Sequence, residues 1–366
     1  METKKPAVRV GRLLLIVLIA ATVGTLLYFA PRLFVQYHKD VPAGELRSGG
    51  TSAALFMVDK WKDVYRKETG INLKYKSTGS TEGITGVIDR TFSIGFTHNP
   101  LTDEQKKKAR ETGGEVLHIP VAICAVVPIY NLKELKGKAP LNFTREVLAD
   151  IFLGNIKRWN DPALAKINDG VKLPDTAIEV VYREDKSGTT FIFTEYMQGA
   201  SEEWTKKIGP AASKVDWPVG AGMARSVDVL ARVAQKDGAI GYADLLHAQG
   251  QKAMTYGAVQ NKDKTAFIHA DPDNMAAAAK GLAAEMGEDL TFHLTNKSGK
   301  DTYPICGGIW AVCYQNLPAD HHKIVVDFLT WATHDGQKFT KECTYAPLPD
   351  DIVKRVDGKL KLMKAS

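Results

Sequence analysis

The 366-residue sequence lacks most of the marks that point directly to a chemistry. It has four cysteines, Cys124, Cys306, Cys313 and Cys343, with no CxxC pair and no HxxxH spacing. That speaks against the common zinc sites, and we expect no metal and no cofactor. No internal repeat or low-complexity tract interrupts the chain, so solenoids and long disordered tails are not encoded. It also lacks a concentrated charge: of the net +6, residues 1–12 supply +3 through Lys4, Lys5, Arg9 and Arg12 against Glu2. The rest is too evenly spread for the dense basic face of a nucleic-acid binder, although a small anion remains compatible.

Long hydrophobic runs are scarce too, with one exception. LLLIVLIAATVGTLLYFA, residues 13–30, follows the four basic residues and carries no charge. Its length lies between a signal-peptide core of about 7–15 residues and a full span of about 20. We read it as an uncleaved signal-anchor helix over about residues 13–33, since Leu33, Phe34 and Val35 extend it; a cleaved signal is the alternative. The basic flank holds the N-terminus in the cytoplasm by the positive-inside rule and puts the body outside. No cysteine follows the segment directly, which removes a lipid-modified cysteine as the anchor. In an oxidising compartment the four cysteines are compatible with disulfides or with buried free thiols, and spacing does not choose.

The remaining 320 or so residues are long enough for two lobes. Strand-like runs (72–78, 92–97, 116–130, 177–183, 238–243, 307–314) alternate with helical ones (53–70, 81–90, 145–154, 191–200, 226–236, 322–334), which predicts an α/β fold. Gly70, Gly154 and Gly199 are expected at helix ends. The run 116–130 is far longer than a usual strand of about 5–6 residues. It can pass from one lobe to another, with the strand near 307–314 bringing the chain back, or both can be strands of one sheet. Asn160-Asp161-Pro162 reads as a helix start, His321-His322 as a solvated one, and Trp159 and Trp310 as packing aromatics.

Three places share one design: a hydroxyl-bearing residue, a glycine nearby, then a helix. They are GGTSAALF (49–56), STGSTEGITGV (77–87) and KSGTTFIF (186–193). A helix start offers unpaired N–H groups and a partial positive charge, so each can hold one edge of an oxyanion. Serine and threonine are also ordinary N-caps. The third place has more: Arg183 adds a permanent forked cation, and Asp185 can hold that fork in orientation.

These segments, with HIPVAICAVVPIYNL, IFLGNIKRWNDPAL, REDKSGTTFIFTEYM, DGAIGYADLL and YAPLPDDIV, resemble in kind and order the phosphate-binding proteins of bacterial ABC-type phosphate importers, the PstS family, over about residues 47–355. The resemblance implies a two-lobed periplasmic-binding-protein fold of type II-like topology behind the N-terminal transmembrane or signal helix. Lobe I is expected over 46–125 plus 303–366 and lobe II over 126–302, after a tail, helix and linker over 1–45. It further implies that phosphate is held by Ser52, the backbone N–H of Ala53, Ser80, Arg183 oriented by Asp185, and Ser187, Gly188 and Thr189. The expected partners are inorganic phosphate, the permease subunits of an importer, and the inner membrane through the N-terminal helix; the protein is expected to be a monomer, not an enzyme.

One position departs from the family. Where its members carry an acid that accepts the proton of hydrogenphosphate and repels sulfate, this chain has His98 after Thr97. Neutral imidazole can accept as well as donate, which predicts weaker discrimination against sulfate; a histidine rotated out of the site is the other reading. The competing functions are a binder of another tetrahedral oxyanion, an exported phosphatase, for which no clear nucleophile and base are present, and a surface protein that senses phosphate for a membrane partner.

Overall fold

The computed structural model describes residues 44–366; the expected membrane helix and its basic tail lie outside the described residues. Among the described residues no helix is long and apolar enough to cross a membrane. The main sheet uses β1 (Glu45–Gly50), β2 (Asn72–Ser77), β3 (Ile94–Thr97), β4 (Val116–Tyr130), β5 (Glu179–Arg183), β6 (Ala221–Met223), β7 (Ala239–Asp244), β8 (Thr255–Tyr256) and β9 (Cys306–Tyr314). The helices that matter below are α1 (Leu55–Thr69), α2 (Ser80–Ile88), α3 (Asp103–Thr112), α4 (Arg145–Leu153), α5 (Pro162–Ile167), α6 (Gly188–Met197), α7 (Ser226–Gln235), α8 (Ala319–Thr333) and α9 (Asp350–Leu360).

Strand order is β2-β1-β3-β9-β4-β7-β5-β6, with β8 also on β4. β1 runs parallel to β3, and β5 runs parallel to β6 and β7. β9 is antiparallel to both β3 and β4. The long β4 changes partner along its length: Val116 to Ala125 pair with β9, and Val126 to Tyr130 pair with β7, also antiparallel. Two half-sheets therefore share one strand, and they point in opposite directions. The carboxyl ends of β1 and β3 in one half, and of β5 and β7 in the other, converge over the middle of β4. Loops and helix starts that follow those ends are brought face to face, the usual place for ligands in open α/β sheets.

Both halves carry aromatic cores. Trp61, Tyr65, Phe328 and Trp331 lock α1 against α8, while Phe152, Phe193, Trp217 and Tyr242 lock α4 and α6 onto β7. Phe193 stacks on Tyr242 with centroids 4.4 Å apart. Such pairs contribute about 1 kcal/mol beyond their buried area. Trp159 and Trp310 belong to the same packing, each donating its indole N–H to a backbone carbonyl, Gly238 and Leu290.

Elements with clear apolar periodicity lie where the sequence places them, and β4 matches to the residue. α1 and α4 end at Gly70 and Gly154 in the left-handed region, and Asp161 caps α5 with Pro162 at its first turn. Two readings need correction, and one left open is decided. α6 stops at Met197 with Gln198 extended, so Gly199 follows the helix end instead of forming it. His321 is buried, its Nε2 3.1 Å from Ser93 Oγ, and so is not a solvated helix start. All four cysteines are free thiols, Cys124, Cys306 and Cys313 buried and Cys343 partly exposed.

One buried histidine on β4 sets a pH dependence of stability. His118 Nε2 accepts the Leu101 N–H at 3.0 Å, and burial pulls its pKa down to about 4 from 6.5, Asp289 opposing and Lys106 and Lys359 assisting. The folded form thus keeps the ring neutral where the unfolded chain takes a proton. Its contribution is complete above about pH 6.5 and is lost as the pH falls toward about 4, a change of up to roughly 3 kcal/mol. His118→Gln retains an acceptor for Leu101 but has no proton to bind. Urea unfolding at about pH 7.5 and about pH 5 should show the wild type losing roughly 2 kcal/mol more than this variant; equal losses would rule the assignment out.

Candidate anion-binding site

The eight expected contact residues and Asp185 all fall at the convergence of the two half-sheets. β5 ends in Arg183, whose side chain is buried. Its Nε and Nη2 donate to the two oxygens of Asp185, both at 2.7 Å, and Nη1 donates to Ser226 Oγ at 2.5 Å. The Arg183 backbone N–H goes to Tyr242 Oη at 3.2 Å, and Tyr242 Oη also meets Thr190 Oγ1 at 2.7 Å, so the aromatic core fixes this corner. Three of the five guanidinium N–H groups are used; one on each Nη remains for a ligand. Because Asp185 balances the arginine charge, the fork offers directed donors with little net charge.

The helix starts supply the remaining donors. Ser187 caps α6, its Oγ accepting from Thr190 N at 3.3 Å, which leaves the N–H groups of Gly188 and Thr189 for an acceptor outside the helix. Gly188 is required by proximity: a Cβ there would lie 2.3 Å from Ser80 Oγ and 2.8 Å from both Cβ and Cδ2 of His98. The start of α6 is thus pressed against the start of α2 and the end of β3. Ser80, the first residue of α2, is buried; its Oγ accepts from the His98 N–H at 3.3 Å, which frees its own hydrogen. In the turn Ser52–Ala54, Ser52 Oγ lies 3.3 Å from Ser226 Oγ, bridging the two halves through the residue that also holds Arg183.

Two expected contributions look different in detail. The Ala53 N–H is not free but bonds Thr51 Oγ1 at 3.3 Å. The Thr189 hydroxyl donates to Asp244 Oδ2 at 3.0 Å, so what it offers an anion is its backbone N–H. His98 lies in the site, 1% exposed, with Nδ1 3.2 Å from the Gly308 carbonyl and 3.4 Å from Cys124 Sγ. Its rotated surface alternative is therefore excluded. Burial holds its pKa below the ordinary value, against the pull of Asp244 and the Gly308 carbonyl. Burial also pushes the Cys124 thiol well up, the opposite of an activated nucleophile.

Sequence reasoning missed Ser226 and Asp244. Ser226 opens α7 on the site side, a fourth helix start of the same kind; the signal was a serine ahead of the apolar run VDVLARV, without the neighbouring glycine. Asp244 ends β7 and is 2% exposed. Its signal was an acid continuing the fully buried strand AIGYA. Burial works to raise the Asp244 pKa, but His247, His98 and the Thr189 hydroxyl outweigh it and hold it below the usual value.

A family model described as a PBP superfamily domain matches residues 35–335. The phosphate-binding protein PstS of Pasteurella multocida is 33% identical over 330 residues, covering 90% of this chain and 93% of its own. That of Xylella fastidiosa is 35% identical over 316 residues, covering 86% and 84%. Among solved structures, a high-affinity periplasmic phosphate-binding protein bound with phosphate superposes with a TM-score of 0.68 at 18% identity, over 86% of this chain and 93% of that one, which shows the common two-lobed fold. With this fold and those relatives, the chain belongs to the PstS family of phosphate-binding proteins, within the PBP superfamily.

Proposed function

We propose that this protein binds inorganic phosphate in the cleft between its two lobes, outside the cytoplasm, and delivers it to the permease subunits of an ABC-type importer. The Arg183 fork supports this reading above all. Clamped by Asp185 and Ser226, it keeps one N–H on each Nη for two oxygens of a tetrahedral anion. Around it stand the hydroxyls of Ser52, Ser80 and Ser187 and the N–H groups of Gly188 and Thr189, with Ala53 joining once Thr51 releases its N–H. His98 completes the ligand shell from the end of β3. Such a shell replaces the anion's hydration with aimed donors, which is what a dehydrated, doubly charged ligand requires.

The lobes we assign are 46–125 with 303–366, and 126–302, divided where β4 changes partner. We read the protein as a monomer, one chain holding the whole shell, and as a binder without catalysis. The buried, protonated thiol of Cys124 supports this, since the sulfur nearest to an imidazole is inactive as a nucleophile. The residues before the body support an uncleaved anchor that keeps the binder beside its importer, raising its local concentration.

Calorimetric titration of the full chain with phosphate tests the function directly. Arg183→Lys, which loses the fork, should weaken phosphate at least about tenfold, and Arg183→Ala on the order of 100-fold, with little change in melting temperature for the lysine variant. Unaltered affinity in both would remove Arg183 from the site. Hydrolysis of a chromogenic phosphate ester that depends on Arg183 would instead establish a phosphatase. For the anchor, the chain should stay in the membrane pellet after alkaline carbonate washing and retain peptides from residues 1–12; a soluble mature chain beginning after about residue 30 would show cleavage.

A further inference from the structure

Two buried acceptors face each other in the cleft with no donor between them. Asp244 Oδ2 is satisfied by the Thr189 hydroxyl at 3.0 Å, but Oδ1 has no hydrogen-bond partner. It lies 3.9 Å from His98 Nε2, which is also buried and without one. The Gly308 carbonyl, 3.2 Å from Nδ1, can only accept, so a neutral His98 carries its proton on Nδ1 and turns a lone pair toward Asp244. The other groups close by do not fill the gap: His247 Nδ1 is 3.6 Å from Oδ2, and Cys124 Sγ–H is directed to the Gly307 carbonyl at 3.4 Å. An arrangement of two desolvated acceptors is unfavourable until a donor enters. The ring carbon next to Nε2 lies 2.8 Å from where Gly188 would carry a Cβ, so the pair sits beside the free N–H groups of α6.

We propose that Asp244 is a specificity-determining residue of this cleft: from lobe II, its Oδ1 together with His98 Nε2 accepts a hydroxyl proton of the bound oxyanion and disfavours an anion that carries none. The carboxylate that position 98 lacks is thereby supplied from the opposite side of the cleft. Discrimination between hydrogenphosphate and sulfate is retained, where His98 considered alone predicts that it is weakened. This inference rests on the cleft being the phosphate site.

The test titrates the full chain in detergent, near pH 7, with inorganic phosphate, with sulfate and with monofluorophosphate, a tetrahedral dianion without a proton. The wild type should prefer phosphate to both. Asp244→Asn should lower the phosphate-to-sulfate affinity ratio on the order of 100-fold, and His98→Ala, which removes the neutral acceptor beside it, should lower the ratio by about tenfold or less. An unchanged ratio in Asp244→Asn overturns the proposal, as does a wild type that binds monofluorophosphate as tightly as phosphate. Should Asp244→Asn melt too low to assay, Asp244→Glu, which keeps the charge one methylene further out, and the monofluorophosphate comparison on wild type and His98→Ala decide the matter. A wild type that binds none of the three anions refutes the phosphate-binding function itself, a result distinct from failure of the Asp244 assignment.

Discussion

The site depends on one constraint, the change of partner along β4. A strand that pairs antiparallel with β9 up to Ala125 and with β7 from Val126 aligns two half-sheets of opposite direction. Only in that arrangement do the ends of β1, β3, β5 and β7 meet. Close approach of the layers also matters: a Cβ on Gly307 in β9 would fall 2.3 Å from Ile192 Cδ1, so the glycine lets α6 lie directly against β9. With α6 seated there, Gly188 at its start comes against Ser80 and His98 from the other half-sheet.

The electrostatics of the cleft follow from how its one buried arginine is used. Asp185 takes the Nε edge of Arg183 and neutralises it, so the cleft is not a pool of positive charge that would attract any anion. Directionality replaces charge. Unpaired N–H groups of helix starts and hydroxyls with free hydrogens are fixed by their own caps and by β-strand ends, so that apart from the Ala53 N–H, which Thr51 holds, they stand ready without rearrangement. Fixed donors of this kind suit one geometry, a tetrahedron of oxygens, better than a planar or monatomic anion.

Much of this was legible in the sequence, for physical reasons. Helices with a buried stripe leave a periodic signal, strands buried on both faces leave an unbroken apolar run such as that of β4, and hydroxyl-glycine pairs ahead of apolar runs marked three of the helix starts. What was not legible has equally definite causes. α3, DEQKKKARET, buries only Ala109, so it has no stripe; its Thr102–Gln105 capping box, not its face, defines it. β1, ELRSGG, is poor in β-branched residues and is held by parallel pairing to β3. Ser226 and Asp244 carry no local sign that they share a cleft, because their partners are 174 and 146 residues away in the chain: Ser52 for the one and His98 for the other. Local patterns reveal caps; which caps face one another is decided by β4.

The same distance explains how a family's acid can be replaced by histidine without emptying the site of negative charge. What a protonated oxyanion requires is an acceptor at one point in space, and that point is bordered by two strand ends, those of β3 and β7, one in each half-sheet. A carboxylate on either can reach it. With Asp244 on β7 and a neutral ring on β3, the acceptors are divided between the halves. An anion with a proton then bridges them, while one without a proton sets its own charge against Asp244 at the place where the halves touch.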